Sequence, residues 1–436
     1  MIKDEKSGFG PVADDLPEGY DEALAHEARQ LMTSAAVRRR ADLLFRRALG
    51  QGLDHVAVDM SALDPAADRV AALIQERWPD LALPFHSLWR RFEAGGHDRF
   101  AGLANARQWA DVREMGRAAF DMALVSGFLG IVAPTDWGYD DGISQERYGG
   151  EEGLAIASLA MIASGLFSGV PGDPLRADAG QLVRISTDEI ASGLQVGAGA
   201  DAGLMDCAGR AEALRRLGEA VGLRDDLFSR EDDPRPGGLF DLLFDEGLSG
   251  PLSAQRILDV VADGLVPVFA GGPQLGGIPL GDTHHHPAVA GEGTAPATEG
   301  LLPLHSRLQR LVTDLAEPLV WAGVEIVGLE TLTACSDPQA VGLLFDLALL
   351  KRIGPAVTQT EPDIGDALVV ESRGLTVALF DRLAAKVRER LGVTEEEMPL
   401  AGLLEGGMRY AAGKIALEKR DSAAPALLFA GADRLL

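Results

Sequence analysis

Five short polar clusters lie inside otherwise apolar stretches of this sequence, where an ionisable side chain needs either a partner or a task. The first cluster, residues 84–92, places His86 and Arg90 among aromatic side chains. Aromatic faces can stack on a ring and guanidinium groups can bind phosphate, so the cluster predicts substrate binding. The alternative is an amphipathic surface turn that its aromatic residues anchor in the core.

The second and third clusters offer further binding groups. Arg176 and Asp178 follow a long apolar helix, and they form either a substrate contact or a structural ion pair. His305 precedes a helix in which the Glu317-Pro318 step should bend the axis and free backbone donors. Glu317 is placed to accept from those donors.

The fourth and fifth clusters each place a carboxylate near a predicted helix start. Glu371 and Arg373 lie between a strand-like run and a long helix, and capping of that helix is an alternative role for Glu371. Glu405 is followed by Gly406 and Gly407, which allow close backbone approach to a ligand. Free amides at such a helix start can bind an anion such as phosphate.

Three consecutive histidines, His284, His285 and His286, are candidate metal ligands because neutral imidazole binds many metals. Adjacent side chains point apart, so only His284 and His286 could converge in an extended segment, with Asp282 as a further ligand. We therefore predict a solvated or substrate-facing loop, with no metal and no cofactor.

Composition excludes several classes of function. The chain has 436 residues, 47% of them hydrophobic, and 40 Lys and Arg against 66 Asp and Glu give a formal charge of -26. A nucleic acid polymer is held mainly by clustered cations, so we predict none as a partner.

Phosphate-loop, dinucleotide-binding and Gly-x-Ser-x-Gly motifs do not occur. Two distant cysteines indicate a reducing compartment.

Neither the N-terminal residues nor the longest apolar run has the pattern of a signal peptide or a membrane-spanning helix. The first residues, Met-Ile-Lys-Asp-Glu-Lys, lack the apolar stretch of a signal peptide. The longest uncharged apolar run, residues 154–170, contains serines and glycines and is shorter than the roughly 20 residues that span a bilayer. We predict a soluble, cytoplasmic protein with no membrane contact.

Helical periodicity dominates the sequence. It predicts a mainly α protein, a large helical single-core fold with a few short strands. We expect an N-terminal arm over residues 1–30 and one helical domain over 31–436, with a possible boundary within the Gly- and Pro-rich region 235–300. Beyond the helix that begins at Thr33, the predicted helices lie near 107–130, 151–167, 207–222, 306–322, 339–352, 375–392 and 406–420, and the predicted strands near 55–59, 265–270 and 367–371.

Taken in order, these clusters resemble a known family. The run 152–178, then Gly209-Arg210, Gly281-Asp282, His305, Glu317-Pro318, Glu371-x-Arg373 and residues 404–407 are similar to the uracil catabolism protein four family over about residues 30–436. More distantly, Glu371-x-Arg373 and the Glu405 segment resemble queuosine-nucleotide glycosidases that share ancestry with helix-hairpin-helix DNA glycosylases.

The resemblance implies a role in a uracil-degrading route in which a cyclohydrolase-like partner opens the ring and urea is later released. It implies hydrolysis of an N-ribosyl bond in a ribosyl phosphate such as ribosylurea phosphate. The chain departs from the family pattern at Gly150, Gln339, Ala340, Ser372 and Arg409, where Arg, Arg, Asn, Trp and Trp are usual. These departures leave the substrate open.

Cleavage of a ribosyl C–N bond develops oxocarbenium charge, so the site needs a carboxylate near the anomeric carbon and a base for water. Glu371 is the first candidate, with Glu405 or Asp282 as the second carboxylate. The predicted substrate-binding residues are His86, Arg90, Arg176, Asp178, Arg210, His305, Arg373, Gly406 and Gly407. The alternatives are a non-catalytic nucleotide sensor or scaffold and an enzyme acting on another ribosylated molecule.

Overall fold

The computed structural model describes most of the chain. The described residues are 20–85, 87–130, 132–134, 136–197, 205–229, 234–265, 268, 272–291, 295–354 and 361–431.

Helices make up most of the regular secondary structure among the described residues. The longer ones are Glu22–Leu31, Ser34–Leu49, Leu63–Arg77, Arg99–Ala106, Val112–Leu129, Gly150–Ala163, Thr187–Gly193, Cys207–Leu223, Gly238–Gly247, Ala254–Leu265, Ser306–Trp321, Pro338–Asp346, Ala367–Leu391 and Tyr410–Arg420. Short helices span Trp89–Phe92, Ala179–Leu182, Asp225–Phe228 and Leu400–Gly402, and a π-helix spans Leu403–Arg409. Single 3-10 turns occupy Met60–Ala62, Ala94–Gly96, Pro287–Val289, Pro296–Thr298 and Leu329–Thr331. The predicted mainly α, single-core class is confirmed.

The described strands form two-stranded ribbons. Val56–Val58 pairs with Leu350–Arg352, Tyr139–Asp140 with Arg147–Tyr148, Gln274–Leu275 with Ile278–Pro279, and Thr283–His285 with Leu301–Pro303, all antiparallel. Leu252–Ser253 pairs with Ile326–Val327 in parallel. The strand Thr283–His285 follows the buried Asp282, and along it Thr283 is buried, His284 is half-buried and His285 is exposed.

Helix Ser34–Leu49 begins and ends as its sequence predicts. The Thr33 hydroxyl accepts a hydrogen bond from the Ala36 amide at 3.2 Å, which satisfies one of the open donors of the first turn. Gly50 ends the helix, and its amide donates to the Arg46 and Arg47 carbonyls. The apolar side of this helix packs against the long helix Ala367–Leu391.

The buried apolar side chains form two large adjoining groups. The first comes mainly from residues 88–268 and 308–332, and the second from 37–74, 289–304 and 334–429. Helix Ser306–Trp321 therefore begins beside the second group and continues into the first. Buried charged side chains concentrate around this helix, where only other protein groups can compensate them.

One predicted strand is wrong, and one predicted helix ends earlier than expected. Residues 367–371 belong to helix Ala367–Leu391 rather than to a strand, because an apolar run buried on all sides has no periodicity that separates strand from helix. Residues 350–352 form a strand after helix Pro338–Asp346 has ended, because they pair with Val56–Val58. The strand predicted near 55–59 is confirmed, and that near 265–270 falls mostly outside the described residues.

The loop prediction for 271–300 is partly wrong, since its described residues include the strands given above. The described part of the N-terminal arm contains helix Glu22–Leu31, whose Ala28 and Leu31 pack against Leu280 and Leu301.

Candidate functional site

A small pocket opens between the segment 335–340 and the π-helix Leu403–Arg409. Its walls are formed by Cys335, Asp337, Gln339, Ala340, Phe380, Leu404, Met408, Arg409 and Ala412. A π-helical turn is a rare conformation that occurs frequently at functional sites. We therefore treat this pocket as the candidate ligand-binding site.

Behind one wall of this pocket lies a buried group of charged side chains, which we call the Arg310 cluster. Its members are Arg91, Glu151, Arg310, Asp314, Glu405 and Arg409. Arg409, which lines the pocket, bonds to Glu151 through Nη2. The cluster thus reaches the pocket through the side chain of Arg409.

Glu151 is the centre of the Arg310 cluster. Arg310 and Arg409 each contact one of its carboxylate oxygens, and the Nε of Arg91 lies 3.5 Å from Oε1. Arg91 also donates both terminal nitrogens to Glu405. Three guanidinium groups therefore surround a carboxylate whose side chain is only 6% exposed.

Burial and charge set the protonation of this cluster. Burial raises the pKa of Asp314 to about 6, although Arg310 and the Leu88 amide act in the opposite direction. For Arg91, burial opposes the charge, but Glu151 and Glu405 more than compensate and raise the pKa of its guanidinium. Burial raises the pKa of the Cys335 thiol to about 12, so this thiol is protonated and a poor nucleophile.

A second buried group, the Arg373 cluster, surrounds Arg373 on the long helix. Arg373 donates to both oxygens of Asp282 at 2.8 and 2.7 Å and to the Ser336 carbonyl at 3.2 Å. His284 Nε2 lies 3.1 Å from Asp282 Oδ1. Burial alone would raise the pKa of Asp282, but Arg373 and His284 hold it well below its usual range.

His305 completes the Arg373 cluster at the start of helix Ser306–Trp321. It has a left-handed backbone, φ +46°, which is uncommon for a residue with a Cβ. Burial lowers the pKa of His305 to about 4, so the imidazole is neutral near pH 7. The Ser306 hydroxyl bonds to that of Ser336 at 2.8 Å. The preceding residue, Cys335, lines the pocket, so the segment 335–336 connects the Arg373 cluster with the pocket.

Glu371 lies inside the long helix, so the capping interpretation of this residue is wrong. Its Oε2 accepts from the amides of His55 and Val56 at 3.1 and 2.9 Å. Its Oε1 lies 3.4 Å from His286 Nε2. Glu371 thus secures the start of strand Val56–Val58 from a side chain that is 2% exposed.

We expect Glu371→Ala to lower the free energy of unfolding by about 2–4 kcal/mol, because the buried Val56 amide and the part-buried His55 amide lose a charged acceptor. Urea unfolding followed by circular dichroism measures this loss. Asp381→Ala is a control on a partly exposed face of the same helix, where the pair with Arg38 is partly solvated. Equal losses in the two variants would contradict a structural role of Glu371.

Other predicted residues are engaged in structural contacts. Arg176 and Asp178 bond to each other, with Nε to Oδ1 at 2.8 Å, and Asp178 also accepts from the Gly169 amide. Arg210 donates to backbone carbonyls, including that of Met205 at 2.7 Å. Arg90 pairs with Glu317 at 2.9 Å. None of the residues named here lines the pocket.

The two glycines that follow Glu405 serve packing. A Cβ on Gly406 would lie 2.6 Å from Leu83, and one on Gly407 would lie 2.9 Å from Ile74. The helical run continues through Glu405 from residue 400 to 420, so the predicted helix start at this glutamate is wrong. Glu405 itself lies between two pocket residues of that run. His86 lies outside the described residues.

Of the residues in the Arg310 cluster, only Glu405 was predicted from the sequence as a site residue. Arg310 and Asp314 are four residues apart in a helix whose intervening Leu311 and Val312 are buried. A charged pair at helical spacing on such an apolar surface was the available signal. Glu151 had no comparable signal, because carboxylates are common in the first turn of a helix.

The raised pKa of Asp314 predicts a pH dependence of stability. The folded state binds the proton more tightly than the unfolded state, so this group makes stability fall as pH rises from about 4 to about 6. A shift of this size corresponds to at most about 3 kcal/mol. Asn at position 314 cannot titrate, yet its amide oxygen can still accept from the Leu88 amide. We therefore expect Asp314→Asn to gain stability relative to the wild type across this window.

Thermal unfolding of both proteins at several pH values between 4 and 7 measures the difference. Asp241→Asn is a matched control, since Asp241 is a buried carboxylate paired with Arg117. A constant difference between wild type and Asp314→Asn would contradict the raised pKa.

The part of the chain that the structure describes has neither a metal-binding group of side chains nor a helix suited to a bilayer. No group of three or more His, Cys, Asp or Glu side chains in the described ranges could hold a metal ion. Within the same ranges, none of the helices has both the length and the apolarity required to cross a membrane.

The fold and the site define a mainly helical protein with a small pocket backed by buried, paired charges. The chain belongs to the family described as protein of unknown function (DUF1688), whose model matches residues 30–432. It is 29% identical over 397 residues to Protein urg3 of Schizosaccharomyces pombe, covering 89% of this chain and 94% of that protein. It is 26% identical over 405 residues to Uracil catabolism protein 4 of Lachancea kluyveri, covering 85% of this chain and 89% of the relative.

Proposed function

We propose that this protein acts in uracil catabolism and hydrolyses the N-ribosyl bond of a small nucleotide-like substrate, with release of ribose 5-phosphate. Ribosylurea 5-phosphate is the first candidate, supplied by a ring-opening cyclohydrolase-like enzyme. The name of the Lachancea kluyveri relative supports the pathway. The observation that carries the proposed chemistry is the pocket with the Arg310 cluster behind its wall.

The Arg310 cluster contains the types of group that this reaction requires. Glu405 is paired with Arg91 and lies in the sequence between the pocket residues Leu404 and Met408. We therefore assign its carboxylate the role of stabilising the positive charge of the oxocarbenium-like transition state. Asp314, with a pKa near 6, is the candidate acid for the leaving nitrogen. Asp282, in the Arg373 cluster, and Glu371, which holds the start of strand Val56–Val58 from the long helix, then have supporting structural roles.

Of the five positions at which the sequence is predicted to depart from the family pattern, three line this pocket, whereas Ser372 is buried inside the long helix. Gln339, Ala340 and Arg409 all line the pocket, and Gly150 directly precedes Glu151. Changes at pocket-lining positions alter shape and hydrogen bonding toward a ligand without disturbing the core. We therefore infer that these positions determine the substrate specificity of this chain. The part of the substrate that they would recognise is the group attached to the ribose in place of a nucleobase.

Mass spectrometry after incubation of the purified protein with ribosylurea 5-phosphate, and separately with UMP, tests the proposal. We expect ribose 5-phosphate and urea from the first substrate. No release from either substrate would overturn hydrolysis of this class.

A second candidate function is nucleotide sensing without turnover. It is favoured by one observation, that the carboxylates of both clusters are all paired with guanidinium groups inside the protein. Calorimetric binding of UMP or ribosylurea 5-phosphate without release of ribose 5-phosphate would favour this function.

A further inference from the structure

The Arg310 cluster contains three guanidinium groups and three carboxylates, and all three guanidinium groups contact one of these carboxylates, that of Glu151. Arg91, Arg310 and Arg409 converge on Glu151, whose Oε1 is in ion-pair contact with Arg310 and whose Oε2 is in ion-pair contact with Arg409. Guanidinium groups arranged around one anionic group form the kind of site that binds phosphate with several hydrogen bonds.

Two further observations indicate that this arrangement is open to a ligand. The Nη1 atom of Arg310 is buried and has no hydrogen-bond partner among the described residues. Arg409 lines the pocket, and its side chain is 27% exposed, whereas that of Arg310 is 5% exposed. An anion in the pocket can therefore meet Arg409 first and use the spare donor of Arg310.

We propose that Arg310 and Arg409 form a binding site for a phosphate monoester, and that the Glu151 carboxylate occupies this site when no ligand is bound. The inference rests on the proposed function in that the phosphate would be that of the ribosyl substrate. Arg91 stays paired with Glu405 in both states. Two guanidinium groups then balance the two charges of a phosphate dianion.

Displacement of Glu151 is compatible with its position in the chain. It is the second residue of helix Gly150–Ala163, and Gly149 and Gly150 precede it. Gly150 has φ +57°, and a Cβ there would meet nothing within 4 Å, so the start of this helix has free space around it. A rotation of the Glu151 side chain toward that space would release both arginines.

Calorimetric titration of the full-length protein with inorganic phosphate, and then with ribose 5-phosphate, tests the site. Arg409→Gln should weaken binding of both about tenfold or more, because a charge-assisted hydrogen bond is lost. Glu151→Gln should strengthen binding about tenfold, because the competing charge is removed. The two variants are thus expected to shift affinity in opposite directions.

Arg420→Gln is the matched control. Its side chain is 29% exposed and pairs with the nearly buried Asp346, as Arg409 pairs with Glu151, but it does not line the pocket. Its affinity for phosphate should equal that of the wild type. Equal affinities of Arg409→Gln and Arg420→Gln would overturn the inference, and this comparison holds even if Glu151→Gln does not fold.

The titration also separates this inference from the proposed hydrolysis. Phosphate binding with the expected variant effects, but no release of ribose 5-phosphate, would support the site and count against the reaction. Release of ribose 5-phosphate together with an unchanged phosphate affinity in Arg409→Gln would support the reaction and overturn the site.

Discussion

Replacing Arg373 by Met should lower the free energy of unfolding by about 3–5 kcal/mol, because it leaves a buried carboxylate without its counter-charge. Arg373 is fully buried and Asp282 is 1% exposed, and two hydrogen bonds join them. Met has a similar length but supplies no donor. Chemical denaturation followed by tryptophan fluorescence measures the loss.

The double variant Arg373→Met/Asp282→Leu shows whether the unpaired charge is the cause. Replacing both partners of a buried ion pair by apolar residues is often close to neutral, so the double variant should recover much of the stability. Arg147→Met is a surface control, because Arg147 is 56% exposed and its pair with Asp140 contributes about 1 kcal/mol or less. A single-variant loss no larger than that of the control would contradict the central position of Arg373.

Glu405→Gln should lower kcat for ribosylurea 5-phosphate at least about 100-fold, because a neutral amide cannot stabilise the developing positive charge on the sugar. Gln preserves the size of the side chain and one acceptor for Arg91. Release of ribose 5-phosphate by wild type and variant under saturating substrate measures the effect. Thermal unfolding of the same samples shows whether the variant is folded.

Glu418→Gln is the control for this substitution. Glu418 lies on the neighbouring helix Tyr410–Arg420, is 45% exposed and pairs with Arg69, away from the pocket walls. Its kcat should match that of the wild type. If Glu405→Gln retained wild-type kcat, the assignment of this carboxylate to the reaction would be wrong, even though hydrolysis itself would stand.

The fold class could be predicted because it depends on local patterns. Thr33 and Gly50 bracket a helix whose apolar residues recur at helical spacing, and the structure has that helix with the same caps. Prediction failed at residues 367–371, where burial on every side removes the periodic signal. It also failed at residues 350–352, whose strand exists only because a distant strand pairs with it.

The candidate site was predictable only in part. Asp282, His305 and Arg373 were predicted as site residues because each is a polar group in apolar surroundings. The structure brings the three together, although Asp282 and Arg373 are 91 residues apart in the chain. Glu405 was selected on the same basis, but the helix start and open glycines assigned to its segment were wrong, since Leu83 and Ile74 fill the space beside them. The partners Arg91, Glu151 and Arg310 were not selected at all.

The sequence by itself determined that this is a mainly helical protein with charged groups that must be compensated inside it, because helix periodicity and the cost of burying charge are properties of short segments. The tertiary structure alone decided which charges compensate which. Arg91 pairs with Glu405 across 314 residues of chain, and Glu151 contacts arginines from three other helical segments. Such pairings follow from how the helices pack, and no local pattern encodes them.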